Sequence, residues 1–234
     1  MGKNVNPVHQ YFMEFLGVFF LVLTIQNAAP KVYSNFGIGI VFFTMVFIAA
    51  PVSGAHLNPA VTFFCYLGDS SRDPSVQKEK YVYYALYQCL GAIAATIVSY
   101  VMGGNVIDLN YAPDITFGMA FLLELIFTAI LCFTVGNIGE SKTNAAEAGL
   151  AVAGVIFIGS VAIGPFTGGV VNPSIGTGLL IGRTIVMGGV NLGLLWLYIF
   201  APLCGAYLAH ICHEKYQRPN LKHIEEQKEA TIEA

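Results

Sequence analysis

Charge is what this chain most lacks. Only 11% of its 234 residues are Asp, Glu, Lys or Arg, while 56% are hydrophobic. That balance excludes a soluble globular domain and makes an integral membrane protein, with no stretch of separate composition that would form a second domain. The cysteines at 65, 89, 132, 204 and 212 sit in or beside apolar segments at neither metal nor disulfide spacing, and are expected to be small apolar packers. No nucleophile, metal or phosphate motif stands out. No enzyme activity, cofactor or metal is expected, and no nucleic-acid partner. The N-terminus also lacks a cationic flank followed by a small-residue cleavage site, so the first apolar run is expected to be a retained span.

What is present is a repeat. Ser53-Gly54-Ala55-His56-Leu57-Asn58-Pro59-Ala60-Val61-Thr62 has a second copy of its core 114 residues later, as Gly168-Gly169-Val170-Val171-Asn172-Pro173-Ser174-Ile175-Gly176. Proline lacks an N–H and has a fixed φ, which suits the first turn of a helix, and the Asn before it can cap that helix. Each copy is therefore a loop feeding a short helix, Asn58 to Leu67 and Asn172 to Gly182. About ten residues reach roughly 15 Å, whereas a bilayer core takes about 20 residues to cross. These are half-helices. At matching places in two halves of a membrane chain, they suggest inverted repeats with a site near the midplane.

The spans fall around them in order. Span one is about His9 to Ala28, interrupted by Glu14, and span two is Phe36 to about Val52, after a turn from Lys31 to Asn35. Gly68 to Lys80 is a charged surface loop, span three is Tyr81 to Met102, and Gly103 to Asp114 is a polar loop. Span four, Ile115 to Val135, contains Glu124. Span five is Ala148 to about Ile163, Arg183 to Gly189 is a connection, and span six is Val190 to about Cys212. From His213 the charged tail is expected to be frayed. The glutamate stands 44 residues before the Asn in one copy and 48 in the other. Three spans and a half-span per copy turn the second copy upside down, so the half-helices enter from opposite faces and meet tip to tip. If both termini are cytoplasmic, Lys3, Arg72, Lys78, Lys80, Lys142, Lys215, Arg218, Lys222 and Lys228 fall inside, and only Lys31 and Arg183 fall outside.

Asn58-Pro59-Ala60, its partner Asn172-Pro173-Ser174 and the paired glutamates closely resemble the aquaporin, or major intrinsic protein, family. The resemblance runs from about residue 9 to 212. It implies an all-α membrane fold of six transmembrane helices plus two re-entrant half-helices, with repeats of about 9–102 and 115–212. Residues 1–215 would form a single channel domain and 216–234 a cytoplasmic tail. It also implies a homotetramer in the lipid bilayer, with one pore per subunit.

In such a pore Asn58 and Asn172 each present an amide donor where the half-helix tips meet. A water or hydroxyl oxygen that accepts both bonds cannot also accept from the next water, which interrupts a proton wire, and the positive helix ends repel cations. Irregular backbone at membrane depth is tolerated only against protein or water. Gly54, Ala55 and His56 on one side, and Gly168, Gly169 and Val170 on the other, are therefore expected to line the lumen with carbonyls. The partners are water and small neutral solutes. Glu14 and Glu124, the only carboxylates well inside spans, are expected to accept bonds from loop N–H groups and brace the half-helices, with proton relay as the competing role. His56 is expected to support its loop.

The outer constriction departs from the family. Aquaporins typically follow the second Asn-Pro-Ala with Arg and narrow the pore with a His and an aromatic. Counting without gaps from the two Asn puts Ile38, Ser160, Gly169 and Ile175 at those four places. This ring is expected to be wider, less polar and less cation-repelling, with room for solutes such as glycerol, urea or ammonia. The Asp that glycerol-conducting members usually carry is Gly176 here. Two other readings stand beside the channel: a secondary transporter using Glu14 and Glu124, and a junction protein with a closed pore.

Overall fold

The computed structural model describes residues 5–28, 34–69, 74–141, 143–189, 192–221, 223, 224 and 227, apart from the side chains of 74–77. Within them the chain is helical, in the order α1 (Pro7–Ala28), α2 (Ser34–Ser53), α3 (Pro59–Gly68), α4 (Pro74–Val101), α5 (Phe117–Glu140), α6 (Ala145–Ala162), the single turn α7 (Gly164–Thr167), α8 (Pro173–Met187) and α9 (Leu195–Cys212). No strand occurs among the described residues. Six helices there are long and apolar enough to cross a bilayer, and α3 is a shorter apolar helix.

Starts and stops follow local chemistry. The Thr116 side chain caps α5 by accepting from Met119 N. Asn144 and Glu147 form a reciprocal capping box at the head of α6, which satisfies N–H groups that a helix start otherwise leaves open. α3 and α8 both open with Asn as cap and Pro in the first turn.

Several boundaries differ from the sequence expectation: α5 runs on to Glu140 and α9 starts only at Leu195. α4 starts at Pro74, so part of the expected surface loop is helix. α8 runs for 15 residues to Met187, because Gly182 does not break an otherwise helical stretch and the stop comes only at Gly188 and Gly189, with φ of 69° and 68°. Arg183 is thereby helical; its Nη1 donates to Val106 O at 2.8 Å.

The tail does not fray at His213. A π-helical turn, His213–Gln217, continues α9, and helix persists to Leu221. His213 is buried, its ring edge-on to Phe64 and Phe133 at 5.8 and 5.9 Å. Arg218 pairs with Glu140 and Glu214 and reaches Gly68 O. Packing and ion pairs thus hold a segment whose composition alone reads as solvated. Lys3, Lys31, Arg72, Lys142, Lys222 and Lys228, on which the orientation argument draws, lie outside the described residues.

The two halves pack alike: α1 lies along α4 and α5 along α9, while α2 meets α6 across the repeats. Glycine permits the closest approaches. A Cβ on Gly91 of α4 would run into the carbonyl oxygen of Phe15, and one on Gly205 of α9 into that of Leu125. Phe15 and Leu125 directly follow Glu14 and Glu124, so these contacts fix how deeply each glutamate sits. Ala92, Ala95 and Ala206 are fully buried beside them, as expected where small residues let helices touch.

Candidate functional site

The two loops before the Asn-Pro steps share one unusual backbone. In the first, φ is positive at Gly54 (91°), Ala55 (51°) and Leu57 (51°); in the second, at Gly168 (86°), Gly169 (58°) and Val171 (42°). For glycine this conformation is free, but for Leu57 and β-branched Val171 it costs on the order of 1–3 kcal/mol each. Something must hold them there. Leu57 N donates to Glu14 Oε2 at 2.6 Å, and Leu57 O accepts from Asn172 Nδ2 at 2.9 Å. Val171 N donates to Glu124 Oε2 at 2.6 Å, and Val171 O accepts from Asn58 Nδ2 at 2.9 Å. Leu57 and Val171 are each pinned through the N–H by the glutamate of the same repeat and through the carbonyl by the Asn of the other, while Ala55 N donates to Ser53 Oγ at 3.1 Å.

The remaining bonds repeat the pattern. Glu14 Oε1 accepts from Ser53 Oγ (2.6 Å) and His56 N (3.0 Å), and Glu124 Oε1 from Thr167 Oγ1 (2.6 Å) and Val170 N (3.0 Å). Gln88 Nε2 adds a fourth bond to Glu14 at 2.7 Å. Tyr84 OH donates to Ser53 O at 2.7 Å and Tyr198 OH to Thr167 O at 2.8 Å. Both glutamates are fully buried. His56 Nδ1 lies 3.3 Å from Thr62 Oγ1.

Each Asn does three things. Its Oδ1 caps the half-helix, accepting from Ala60 N at 2.8 Å or Ser174 N at 3.0 Å. One amide hydrogen reaches the opposite loop, as above. An Asn amide carries two hydrogens, so one N–H per residue is left over at the point where the half-helices meet.

Two cavities flank the paired loops. One, of about 620 Å³, is bordered by Gly54, Ala55, His56 and Asn58, with Ala148 and Val152 across from them on α6. The other, of about 520 Å³, is bordered by Gly168, Gly169 and Val170 and by Ile38, Ser160 and Ile175. All four residues of the expected outer ring thus border a single cavity, and all six loop residues expected to supply carbonyls border one cavity or the other. Asn58 borders the first; Asn172, fully buried, borders neither.

A profile described as "Major intrinsic protein" matches residues 3–213. The chain belongs to that family. It is 32% identical to aquaporin A of Dictyostelium discoideum over 232 residues, covering 89% of this chain and 78% of the relative. It is likewise 32% identical to the glycerol uptake facilitator protein-like 6 of Lactiplantibacillus plantarum over 221 residues, 88% of this chain and 96% of that one. The fold matches the X-ray structure of the aquaglyceroporin from Plasmodium falciparum with a TM-score of 0.79 at 23% identity, over 93% of this chain and 99% of the other. As a major intrinsic protein, the chain is an integral, multi-pass membrane channel of the class that passes water or small solutes passively, and not an enzyme.

Two tyrosines of this channel carry no motif of their own in the sequence. Tyr84 follows Tyr81 and Tyr83, where an interfacial aromatic belt is the ordinary expectation, yet it is fully buried and hydrogen-bonded to the first loop. Its mate is Tyr198, bonded to the second loop. Both stand 114 residues apart, the same offset as the two Asn, and that shared offset is the signal that could have found them. Tyr198→Phe leaves the Thr167 carbonyl without this donor and should cost about 1–2 kcal/mol. A lowered unfolding temperature of the purified channel in detergent checks this, with Tyr84→Phe expected to match it.

Proposed function

We propose that the channel is a passive, bidirectional path for water and small uncharged solutes such as urea, ammonia or glycerol. It would work as a homotetramer with a pore in each subunit and with both termini in the cytoplasm. The observation that carries this reading is the amide N–H left over on Asn58 beside the 620 Å³ cavity, with that of Asn172 directly behind it where the half-helices meet. The caps and the opposite carbonyls already use the other polar atoms of Asn58 and Asn172. Two donors, backed by two positive helix ends, suit a neutral oxygen acceptor and oppose a cation.

The outer ring supports a range wider than water. Ile38, Ser160, Gly169 and Ile175 border a cavity of about 520 Å³, and none is charged. Ile175, in the position where the family usually carries Arg, is buried rather than extended across the opening. The relative named for glycerol uptake points the same way.

For Glu14 and Glu124 the bracing role is favoured over proton relay or ion coupling. Every carboxylate oxygen already accepts at least one bond from a loop or helix donor, and neither glutamate borders either cavity. A coupling acid has to be reachable from the path.

Stopped-flow light scattering of proteoliposomes tests the proposal, first under an impermeant osmolyte and then under urea and glycerol gradients. Shrinkage faster than in empty vesicles, followed by solute re-entry, is expected. Fast shrinkage without re-entry would restrict the channel to water. With tetramers verified, no acceleration of any flux would overturn the open-channel reading.

A further inference from the structure

The outer ring borders one cavity of about 520 Å³, and a second, of about 620 Å³, lies on the other side of the Asn-Pro loops, which draws attention to what stands between the two. The lining follows two helical stripes. On α2, Ile38, Phe42, Val46 and Ala50 recur every four residues, one face of a helix; on α6, Ser160, Ile156, Val152 and Ala148 do the same in reverse. Along each stripe the residues pass from one cavity to the other. Ile38 borders the 520 Å³ cavity, and Val46 and Ala50 border the 620 Å³ cavity. Phe42 borders both and is the one described residue that does. It is only 4% exposed.

Its position in the repeat explains why. Phe42 is sixteen residues before Asn58, and Ile156 is sixteen before Asn172. The two are mates under the 114-residue repeat. Asn58 and Phe42 border the same cavity of about 620 Å³, while the mate of Phe42 in the second copy is the aliphatic Ile156, which borders the other cavity. The Phe42 ring is thus shared by both chambers.

We infer that Phe42, one helical turn inside the outer ring, is the residue that sets the size limit for the permeating solute. This rests on the channel reading above. At this level the α2 and α6 stripes offer only Phe42, Val46, Ile156 and Val152, all apolar. A solute passing the ring keeps hydrogen bonds to the Asn side alone and sheds water on the other. An ion would lose hydration there without gaining a counter-charge. The barrier that the family builds at the outer ring with Arg is thereby moved inward and made from carbon.

The test is solute re-entry in proteoliposomes with three probes of rising size: urea, glycerol and erythritol. Phe42→Ala joins the two chambers and should raise erythritol entry at least about fivefold over wild type. Phe42→Trp should cut glycerol entry to about a fifth or less, and Phe42→Leu should fall between Ala and wild type. Ile38→Ala, on the outer ring, should raise erythritol entry less than Phe42→Ala does. Tetramers confirmed by size-exclusion chromatography keep a misfolded variant from counting, and the graded Leu and Trp variants stand in if Ala does not fold.

Wild-type flux unchanged by all three Phe42 substitutions, or an Ile38→Ala effect as large as that of Phe42→Ala, would overturn the inference and leave the channel reading intact. Wild type and all variants no faster than empty vesicles would overturn both. A tight wild type opened by Phe42→Ala would support the inference, with Phe42 closing the pore outright.

Discussion

Glu124→Gln is expected to destabilise the channel by about 3 kcal/mol or more, enough to remove most folded protein from the membrane. The carboxylate takes three bonds, from Thr167 Oγ1, Val170 N and Val171 N. Glutamine offers one acceptor oxygen and one amide that can only donate. Whichever way it is turned, at least one buried backbone N–H then faces another donor. An unmatched buried donor costs about 1–3 kcal/mol, and bonds to an ionised group are roughly twice as strong as neutral ones. The loss does not stop there. Val171 is held at φ 42° by that same bond, so its strain is released and Asn58 loses the carbonyl it donates to. Glu14→Gln should behave similarly, although Gln88 and its first-loop donors give Glu14 one more bond to redistribute. The measurement is the yield and unfolding temperature of purified protein. Wild-type values for Glu124→Gln would mean that the carboxylate is not what holds the loop.

The second large effect is expected from Gly205→Val. A Cβ at Gly205 meets the Leu125 carbonyl oxygen, and Thr128 Cβ lies 3.0 Å away. Overpacking against movable side chains costs about 1–3 kcal/mol. Here the obstacle is backbone, so α5 and α9 must separate along their length, and at least about 3 kcal/mol is expected. Gly205→Ala should already show part of it, and Gly91→Val should match it against Phe15. Because Leu125 adjoins Glu124, separating these helices also draws the glutamate away from Val170 and Val171. The two predictions therefore couple: Gly205→Ala combined with Glu124→Gln should cost less than the sum of the separate changes. Thermal unfolding of the purified variants reads both the single effects and the shortfall.

Much of this architecture was legible because the chain is written twice. Two Asn-Pro steps 114 residues apart, each opening a helix too short to cross, announce the half-helices, and the paired glutamates announce what lies behind them. Small residues at 91, 92, 95, 205 and 206 announce close packing. What escaped the sequence was of two kinds. Positive φ at Leu57 and Val171 contradicts local preference, and only tertiary bonds from the glutamate of the same repeat and the Asn of the other make it tenable. The tail beyond His213 has a solvated composition, yet burial of His213 and the pairing of Arg218 with Glu140 keep it helical.

Other features are legible only through the offset of the repeat. Ser53 and Thr167, Tyr84 and Tyr198, Gly91 and Gly205, and Phe42 and Ile156 are all 114 residues apart. Scanning the whole chain at the spacing of the two Asn would have gathered the loop anchors and the ring at the centre of the lumen. The length of α8 needed a different signal: the Gly188-Gly189 pair beyond Met187, a stronger stop than the lone Gly182.

The most direct test of neutral-solute selection at the two Asn follows water and protons in the same vesicles. Proteoliposomes loaded with a pH-sensitive dye would be mixed with impermeant osmolyte across a pH step, with light scattering and dye fluorescence recorded together. The account predicts shrinkage well above that of empty vesicles while the internal pH decays no faster than theirs. Rapid water movement accompanied by rapid pH collapse would contradict it. The two amides and the ring of carbon beside them would then fail to interrupt the proton path.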